Sequence, residues 1–525
     1  MCFETSRSIL SAFVIFVALW SIGSFHRWYR MGGQPVGVSH LPAWALGTGG
    51  VTISRSMSAS SSGTKSSHPS VAIIGAGVSG LTMMKALADR GIAHTTFEKS
   101  DQIGGNWVFG NKNGMSSAYR SLHIDSSRYS IEFDDYPFPE NYPDFPHHTQ
   151  IAEYFRGYAD HFGLRDSIRF ETGVERAERL DDGSWRLALE GGETQTFDML
   201  VVANGHHWDA RWPEPPFAGN FDGIQLHSHQ YIDSFTPHDL HGKRVLVVGI
   251  GNSAMDISCE LSHRGVAARL VVSTRRGAHV IPKYIFGRPL DAVIRTRPWL
   301  PLLPQRLFGS LLIRLAVGRM ENYGLPRPGQ RIWQTHPTVS SEFLLRAGSG
   351  DITVKPNIAE LDGQRVRFVD GTAEEFDAII YATGYRISFP FFDPSLLECG
   401  DNDFPLFKRA FKPGVPNLIF VGFAQAVPSI IKFVEIQTRW LAAYVAGAYA
   451  LPSTEEMQHI MQRDQRRANA GFVSSKRHTM QVDTNAYWWD LRKEWKRGAK
   501  RAAGNRTALH SSHVPQPASQ AVESS

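Results

Sequence analysis

The sequence predicts an α/β chain built on two doubly wound parallel sheets. Short apolar runs recur at 71–74, 200–203, 245–248, 270–272, 378–381 and 418–421, with helical patterns between several of them. Runs of four or five apolar residues without alternation read as strands buried on both faces, as in parallel sheets covered by helices. The turns after the first and third runs also share one glycine pattern, at Gly75 and again at Gly249. The 525 residues leave room for two or three domains, and 42% hydrophobic with 20% charged residues excludes a disordered, collagenous or many-spanning chain. No repeat of 20–50 residues is present.

Taken in order, the chain starts with an uncharged 17-residue run, Ile9 to Phe25, followed by His26, Arg27 and Arg30. Seventeen residues is near the minimum for a spanning helix. Three readings stay open: a signal anchor with the catalytic body on the cytoplasmic side, a cleaved targeting peptide, or translation starting at Met57 and a cytoplasmic protein. Nine serines between Ser54 and Ser70 read as a flexible linker.

The first ordered element is the strand 71–74, and the sequence Gly75, Ala76, Gly77, Val78, Ser79, Gly80 follows it and opens a helix-compatible stretch. In this pattern the first glycine makes the tight turn and the second lets backbone approach a pyrophosphate. The third allows close helix–strand packing, and the helix N-terminus offers free N–H groups. Glu98 stands 23 residues after Gly75, at the end of the apolar run 95–97, where a carboxylate accepts hydrogen bonds from a ribose. The second cradle reads Gly249, Ile250, Gly251, Asn252, Ser253, Ala254, with Asp256 further along the same helix. The next strand ends in Ser273, Thr274, Arg275, Arg276 with no acid, and a guanidinium there suits a 2′-phosphate. An acidic site suits FAD and a basic one NADPH, so the pair implies hydride flow from nicotinamide to flavin.

Between the cradles lies Phe221-Asp-Gly-Ile-Gln-Leu-His227-Ser-His-Gln-Tyr231, of the form F-x-G-x-x-x-H-x-x-x-Y. With it, the chain resembles the flavin-containing monooxygenases, which are class B flavoprotein monooxygenases. Further matches are Glu98-Lys-Ser, Gly104-Gly105-Asn106-Trp107, the stretch from Tyr136 to Pro143, Tyr381-Ala-Thr383-Gly384-Tyr385 and the stretch from Glu435 to Trp440; together they cover roughly residues 70–450. The resemblance implies an NADPH- and O2-dependent enzyme that forms a C4a-hydroperoxyflavin and passes one oxygen to a soft nucleophile, an amine or a sulfide. It places Gly105, Asn106, Trp107, Thr383 and Gly384 at the cofactors and gives His227 a part in coupling domain orientation to NADP binding. Baeyer–Villiger enzymes share much of the fingerprint, but they end it with Trp followed by Pro or Asp, where this chain has Tyr231-Ile232.

One departure stands out. These enzymes place Asn against the flavin where this chain has Asp125, followed by Ser126. An amide donates a hydrogen bond to a peroxide; an ionised carboxylate cannot. Asp125 donates only if burial keeps it protonated. Otherwise Ser126 supplies the donor, or the enzyme leaks hydrogen peroxide as an NADPH oxidase. Asp125 and Ser126 are therefore the expected catalytic residues, and a pH-dependent, partly uncoupled reaction is expected.

The domains are expected at 70–214 and 376–490 for the FAD domain, with the NADPH domain 215–375 inserted in it. Residues 1–30 form the hydrophobic segment, 31–69 the linker, and 491–525 a basic stretch and disordered tail. The formal charge of +5 is concentrated at the ends, +4 over residues 1–70 and +6 over 492–506; with −1 from Glu523 in 507–525, this leaves 71–491 at −4. Such a body has no broad phosphate-binding field, and no nucleic-acid partner is expected. Three cysteines, Cys2, Cys259 and Cys399, form no C-x-x-C pair, and the 21 histidines show no ligand spacing, so neither dithiol chemistry nor a metal site is expected.

Overall fold

The computed structural model describes residues 68–294, 302–334, 337–397, 402, 404–471 and 480–511; the apolar run 9–25 lies outside them. Among the described residues no helix is long and apolar enough to cross a membrane.

Ten strands form the two principal sheets: β1 Val71–Ile74, β2 His94–Phe97, β3 Ile168–Arg169, β4 Met199–Val202, β5 Ile224–His227, β6 Arg244–Val248, β7 Arg269–Ser273, β8 Thr353–Lys355, β9 Ala378–Tyr381 and β10 Leu418–Phe420. The first sheet has the order β10-β4-β1-β2-β3 and the second β5-β9-β6-β7-β8, every pair parallel. The chain leaves the first sheet after β4, builds the second, and returns to the first at β10. The second domain is thus an insertion in the first.

The strand sequences explain this burial. In β1, Val71 and Ile73 join the apolar cluster on one face of the sheet, while Ala72 and Ile74 join the cluster on the other. In β6, Val245 and Val247 face one cluster and Leu246 and Val248 the other. A strand buried on both faces has no reason to alternate, which is why these runs are uniformly apolar. The principal helices are α1 Val78–Ala88, α2 His148–His161, α3 Asn252–Leu261, α4 Leu302–Val317, α5 Ile430–Val445 and α6 Thr484–Ser511. Helices α1, α2 and α5 pack on one face of the first sheet, and α3 on the second sheet.

Two expected boundaries move. Strand β9 pairs in register with β5 and β6 in the second sheet, so the boundary expected at 375/376 falls beyond Tyr381. Spacing along the chain cannot say which of two sheets a buried strand joins. Helix α6 runs through the boundary expected at 490/491 and to Ser511, past Thr507, from which the sequence, rich in Ser, Ala, Pro and His, reads as a disordered tail. Its inner row, Tyr487, Leu491, Glu494 and Ala502, is buried, and Gly498 lies against the Tyr449 ring. The Tyr449 hydroxyl donates to Glu494 at 3.0 Å, and Arg501 pairs with the same carboxylate. The basic stretch is therefore the outer face of an anchored helix.

Candidate functional site

Gly75 has φ +102°, and a Cβ there would lie 2.7 Å from the Ala203 carbonyl oxygen. At Gly80 a Cβ would lie 1.9 Å from the Gly75 oxygen, so α1 approaches its own turn more closely than any side chain permits. Gly77 begins α1 with no side-chain cap, and the first turn carries no acid, which leaves helix N–H groups available to a diphosphate. Glu98 is buried; its Oε2 accepts from the Ala76 amide at 2.7 Å and its Oε1 from the Ser100 amide at 2.8 Å. Burial pushes its carboxyl above the usual range, and the two amides pull it back. Two of its four acceptor sites are used, so it can still receive ribose hydroxyls. Gly105 packs on Gly77, Trp107 packs against the core, and Asn106 accepts from Ser117 at 2.9 Å (amide) and 2.8 Å (hydroxyl). These residues converge on one turn that fits a dinucleotide with unmodified ribose.

The second cradle repeats the plan. Gly249 has φ +138°, with room for a Cβ denied by the Ala382 carbonyl oxygen at 2.4 Å. Gly251 begins α3 without a cap or an acid in the first turn. Ala254 is fully buried in the third position, and Asn252 accepts from the Val339 amide at 3.0 Å. The Ser273 side chain faces away: it is buried and donates to the Pro356 carbonyl at 2.8 Å. Arg275 and Arg276 are exposed at the end of β7. Thr274, not anticipated from the sequence, occupies the position that Glu98 holds in the first cradle, and its hydroxyl donates to the Arg276 carbonyl at 2.7 Å. With a neutral hydroxyl in place of a carboxylate and two guanidinium groups beside it, this cradle fits a 2′-phosphorylated dinucleotide.

Asp125 lies at the seam between the domains. Its Oδ1 is shielded from solvent without a hydrogen-bond partner, 3.5 Å from Lys283 Nζ. The Asn252 side chain bonds to Asp125, which ties this loop to the first residue of α3. Asp256, on the same helix, accepts a short hydrogen bond from the buried Tyr119 hydroxyl. Burial pushes the Asp125 carboxyl up to about 7. The charge of Asp256 adds to the rise, and Lys283 and Asn252 oppose it. Asp256 is raised too, again mainly by burial. Two carboxylates with one half-buried lysine thus share a site that favours an extra proton. Lys283 also donates to the Ile124 carbonyl at 3.4 Å and lies over the Phe145 ring. Neither Lys283 nor Tyr119 was singled out from the sequence, and no motif marks them; they reach Asp125 and Asp256 only through the fold.

The Ser126 hydroxyl donates to the Pro428 carbonyl at 2.8 Å, so its one hydrogen is already engaged. His227 is fully buried at the end of β5, between Trp212 and Tyr385, and burial lowers its pKa to about 4. Its Nδ1 accepts from the His229 amide at 3.1 Å. Thr383 donates to the Arg211 carbonyl, and the Gly384 carbonyl accepts from the Arg211 amide at 2.9 Å, which ties the segment after β9 to the chain leaving the first domain. His227 and Thr383 both stand at the domain crossing, and Thr383 follows Ala382, whose carbonyl lies against the Gly249 turn.

A family model described as FMO-like, flavin-binding monooxygenase-like, matches residues 68–500. Flavin-containing monooxygenase 5 of Oryctolagus cuniculus is 36% identical over 433 residues, 79% of this chain and 80% of that protein. Dimethylaniline monooxygenase [N-oxide-forming] 2 of Rattus norvegicus is 37% identical over 442 residues, 80% of this chain and 81% of that protein. Among solved structures, the S-allyl-L-cysteine S-oxygenase of Allium sativum superposes with a TM-score of 0.60 at 25% identity, covering 84% of this chain and 93% of that one.

Proposed function

The chain belongs to the flavin-binding monooxygenase-like family, and from that premise we propose that it places one oxygen atom of O2 on a nucleophilic nitrogen or sulfur of a small molecule. One observation carries the reading: two uncapped glycine cradles in one chain, one backed by buried Glu98 and the other by Thr274 with Arg275 and Arg276. The enzyme uses FAD and NADPH; bound flavin, reduced by NADPH, supplies the oxygen-activating chemistry. The first cradle holds FAD through its helix amides and Glu98. The second holds NADPH, its 2′-phosphate toward Arg275. Two relatives are named for nitrogen and sulfur oxygenation, which supports these atoms as acceptors.

The chain's own part is to bind, orient and manage protons. Asp125, crowded by Asp256 and half-neutralised by Lys283, holds a proton near neutral pH and so offers a hydrogen-bond donor that an ionised carboxylate cannot. Asn252 couples that carboxyl to the NADPH cradle. As Asp125 ionises, the donor is lost and more of the reducing power leaves as hydrogen peroxide.

The test compares NADPH consumed, oxygenated product and hydrogen peroxide released over aryl sulfides, tertiary amines and ketones. Product matching NADPH on a sulfide or amine is expected. Hydrogen peroxide equal to NADPH with every substrate would overturn the reading in favour of an oxidase, and ester formed from ketones alone would replace it with Baeyer–Villiger chemistry.

A further inference from the structure

Helix α3 carries Asn252, Asp256 and Glu260 at four-residue spacing, one row on a single face with a step of about 6 Å. Each of the three meets the segment 119–125. Asn252 bonds to Asp125, Asp256 accepts from the Tyr119 hydroxyl, and Glu260 Oε2 accepts from the Ser121 hydroxyl at 2.5 Å. One end of the row lies at the seam, where Asp125 Oδ1 is shielded from solvent, and the other reaches the exposed Ser121. Glu260 Oε1 accepts from the Ser234 amide at 3.1 Å, and the Tyr231 hydroxyl faces the same carboxylate.

Asp125 Oδ1, at the inner end of this row, and the Tyr231 hydroxyl, toward the outer end, are buried without a hydrogen-bond partner. Leaving them so is costly, and their packing supplies no reason for it. Between them stands the Tyr119–Asp256 hydrogen bond, with the Tyr119 and Tyr231 rings edge to face at 6.4 Å. Buried acids and hydroxyls spaced in this way are joined by water into chains that carry protons. The reaction proposed above needs such a chain, and the inference rests on that reading. NADPH, O2, one proton and the nucleophile give NADP+, the oxygenated product and water. Each turnover therefore draws one proton from solvent into a site that excludes water, and Asp125 must be recharged once it has donated.

We propose that Glu260, Tyr231, Tyr119 and Asp256 conduct this proton from the surface at Ser121 to Asp125. Each transfer breaks one O–H bond and forms the next, and no electron moves with it. A phenol hydroxyl both donates and accepts, so each tyrosine takes up one proton as it releases another and stays neutral. Burial pushes both hydroxyls up, which favours this neutral relay over a tyrosinate. The path also gives a task to Tyr231, the last residue of the fingerprint between the cradles. The other titratable groups that face the row are Lys283, Glu342, Asp233 and Tyr385. Of these, Lys283, 3.5 Å from Asp125 and 20% exposed, offers the competing route.

Infrared spectroscopy of the oxidised, full-length holoenzyme tests the path without turnover. The protonated carboxyl band of Asp125, assigned by its loss in Asp125→Asn, is followed after a rapid drop in pH across 7. Tyr119→Phe and Tyr231→Phe, which keep both rings in place, should each slow the appearance of the band about tenfold or more without changing its final height. Imidazole in the buffer, a small proton carrier, should restore the rate. Equal rates in wild type and both variants would overturn the proposal, as would slowing that imidazole does not rescue, which marks a packing role, or a wild type with no Asp125 band. Slowing in Lys283→Met alone would overturn it in favour of the lysine. In turnover, both tyrosine variants should release more hydrogen peroxide per NADPH than wild type. Peroxide equal to NADPH in the wild type itself would remove the reading of the reaction, while the infrared rates still decide the path.

Discussion

In the first cradle the Gly75 amide donates to the Phe97 carbonyl at 2.8 Å and the Glu98 amide to the Arg169 carbonyl at 2.9 Å. In the second, Gly249 donates to Ser273 at 2.9 Å and Thr274 to Lys355 at 3.0 Å. The two turns share one hydrogen-bond register, so residues at matching places can be compared directly. Glu98 corresponds to Thr274, and Gly80 to Ala254. The first difference changes the charge offered to a ribose. The second reflects how closely each helix approaches its turn: a Cβ fits at 254, but at 80 it would meet backbone oxygen. One plan therefore serves two ligands by altering two side chains, not the backbone.

The comparison breaks most visibly at the third glycine. Gly80→Ala should eliminate flavin-loaded protein, since backbone must move to admit the methyl and overpacking of this kind costs about 1–3 kcal/mol or more. Ala254→Gly should keep the flavin and cost about 1 kcal/mol as a helix glycine. Flavin absorbance of the purified proteins and their Tm check both; equal behaviour would show that the two turns are packed alike.

At the matching carboxylate and hydroxyl, Glu98→Gln removes an ionised acceptor and should weaken FAD roughly tenfold to a hundredfold, from about 1.5–3 kcal/mol per charged hydrogen bond. Thr274→Glu places a carboxylate where the 2′-phosphate is read and should raise the KM for NADPH about tenfold, leaving NADH little affected. Flavin titration and the two KM values measure these. Arg275→Ala should give a smaller rise in the NADPH KM, about fivefold, from loss of one exposed charge pair of about 1 kcal/mol; an equal rise for NADH would remove the arginine from 2′-phosphate recognition.

The smallest expected effect sharpens the seam between the cradles. The Asp125 carboxyl titrates near 7 when folded, against 3.8 for its ordinary value. The folded chain therefore holds an extra proton between these values, and the stability it brings is present below about pH 4 and lost as pH rises through 7. Asp125→Asn should flatten the fall of Tm between pH 5 and 8 by on the order of 2 °C. It should also remove the pH dependence of hydrogen peroxide released per NADPH. A ratio in wild type that is constant over that range would separate Asp125 from coupling.

Much of this was legible in the residues themselves. The apolar runs announce buried parallel strands because both faces of β1 and β6 meet a core. The glycines announce the cradles because only they tolerate φ above +100° at Gly75 and Gly249. Glu98 and the arginines after β7 announce the cofactor pair because charge is a property of the residue. The sheet joined by β9 was not legible, since its neighbours β5 and β6 are set by pairing across more than 100 residues. Thr274 became comparable with Glu98 only through hydrogen-bond register. The surroundings of Asp125 were also out of reach: Tyr119, the pair Asn252 and Asp256 on α3, and Lys283 come from three separate places in the chain.

The division has a physical cause. Local pattern is enough to specify an α/β chain with two dinucleotide turns, because strand burial, turn geometry and side-chain charge depend on residues close in sequence. The protonation of Asp125 and the engaged hydroxyl of Ser126 depend on which distant groups exclude water from them. Desolvation and Coulomb interaction act through space, and only the tertiary structure decides those neighbours.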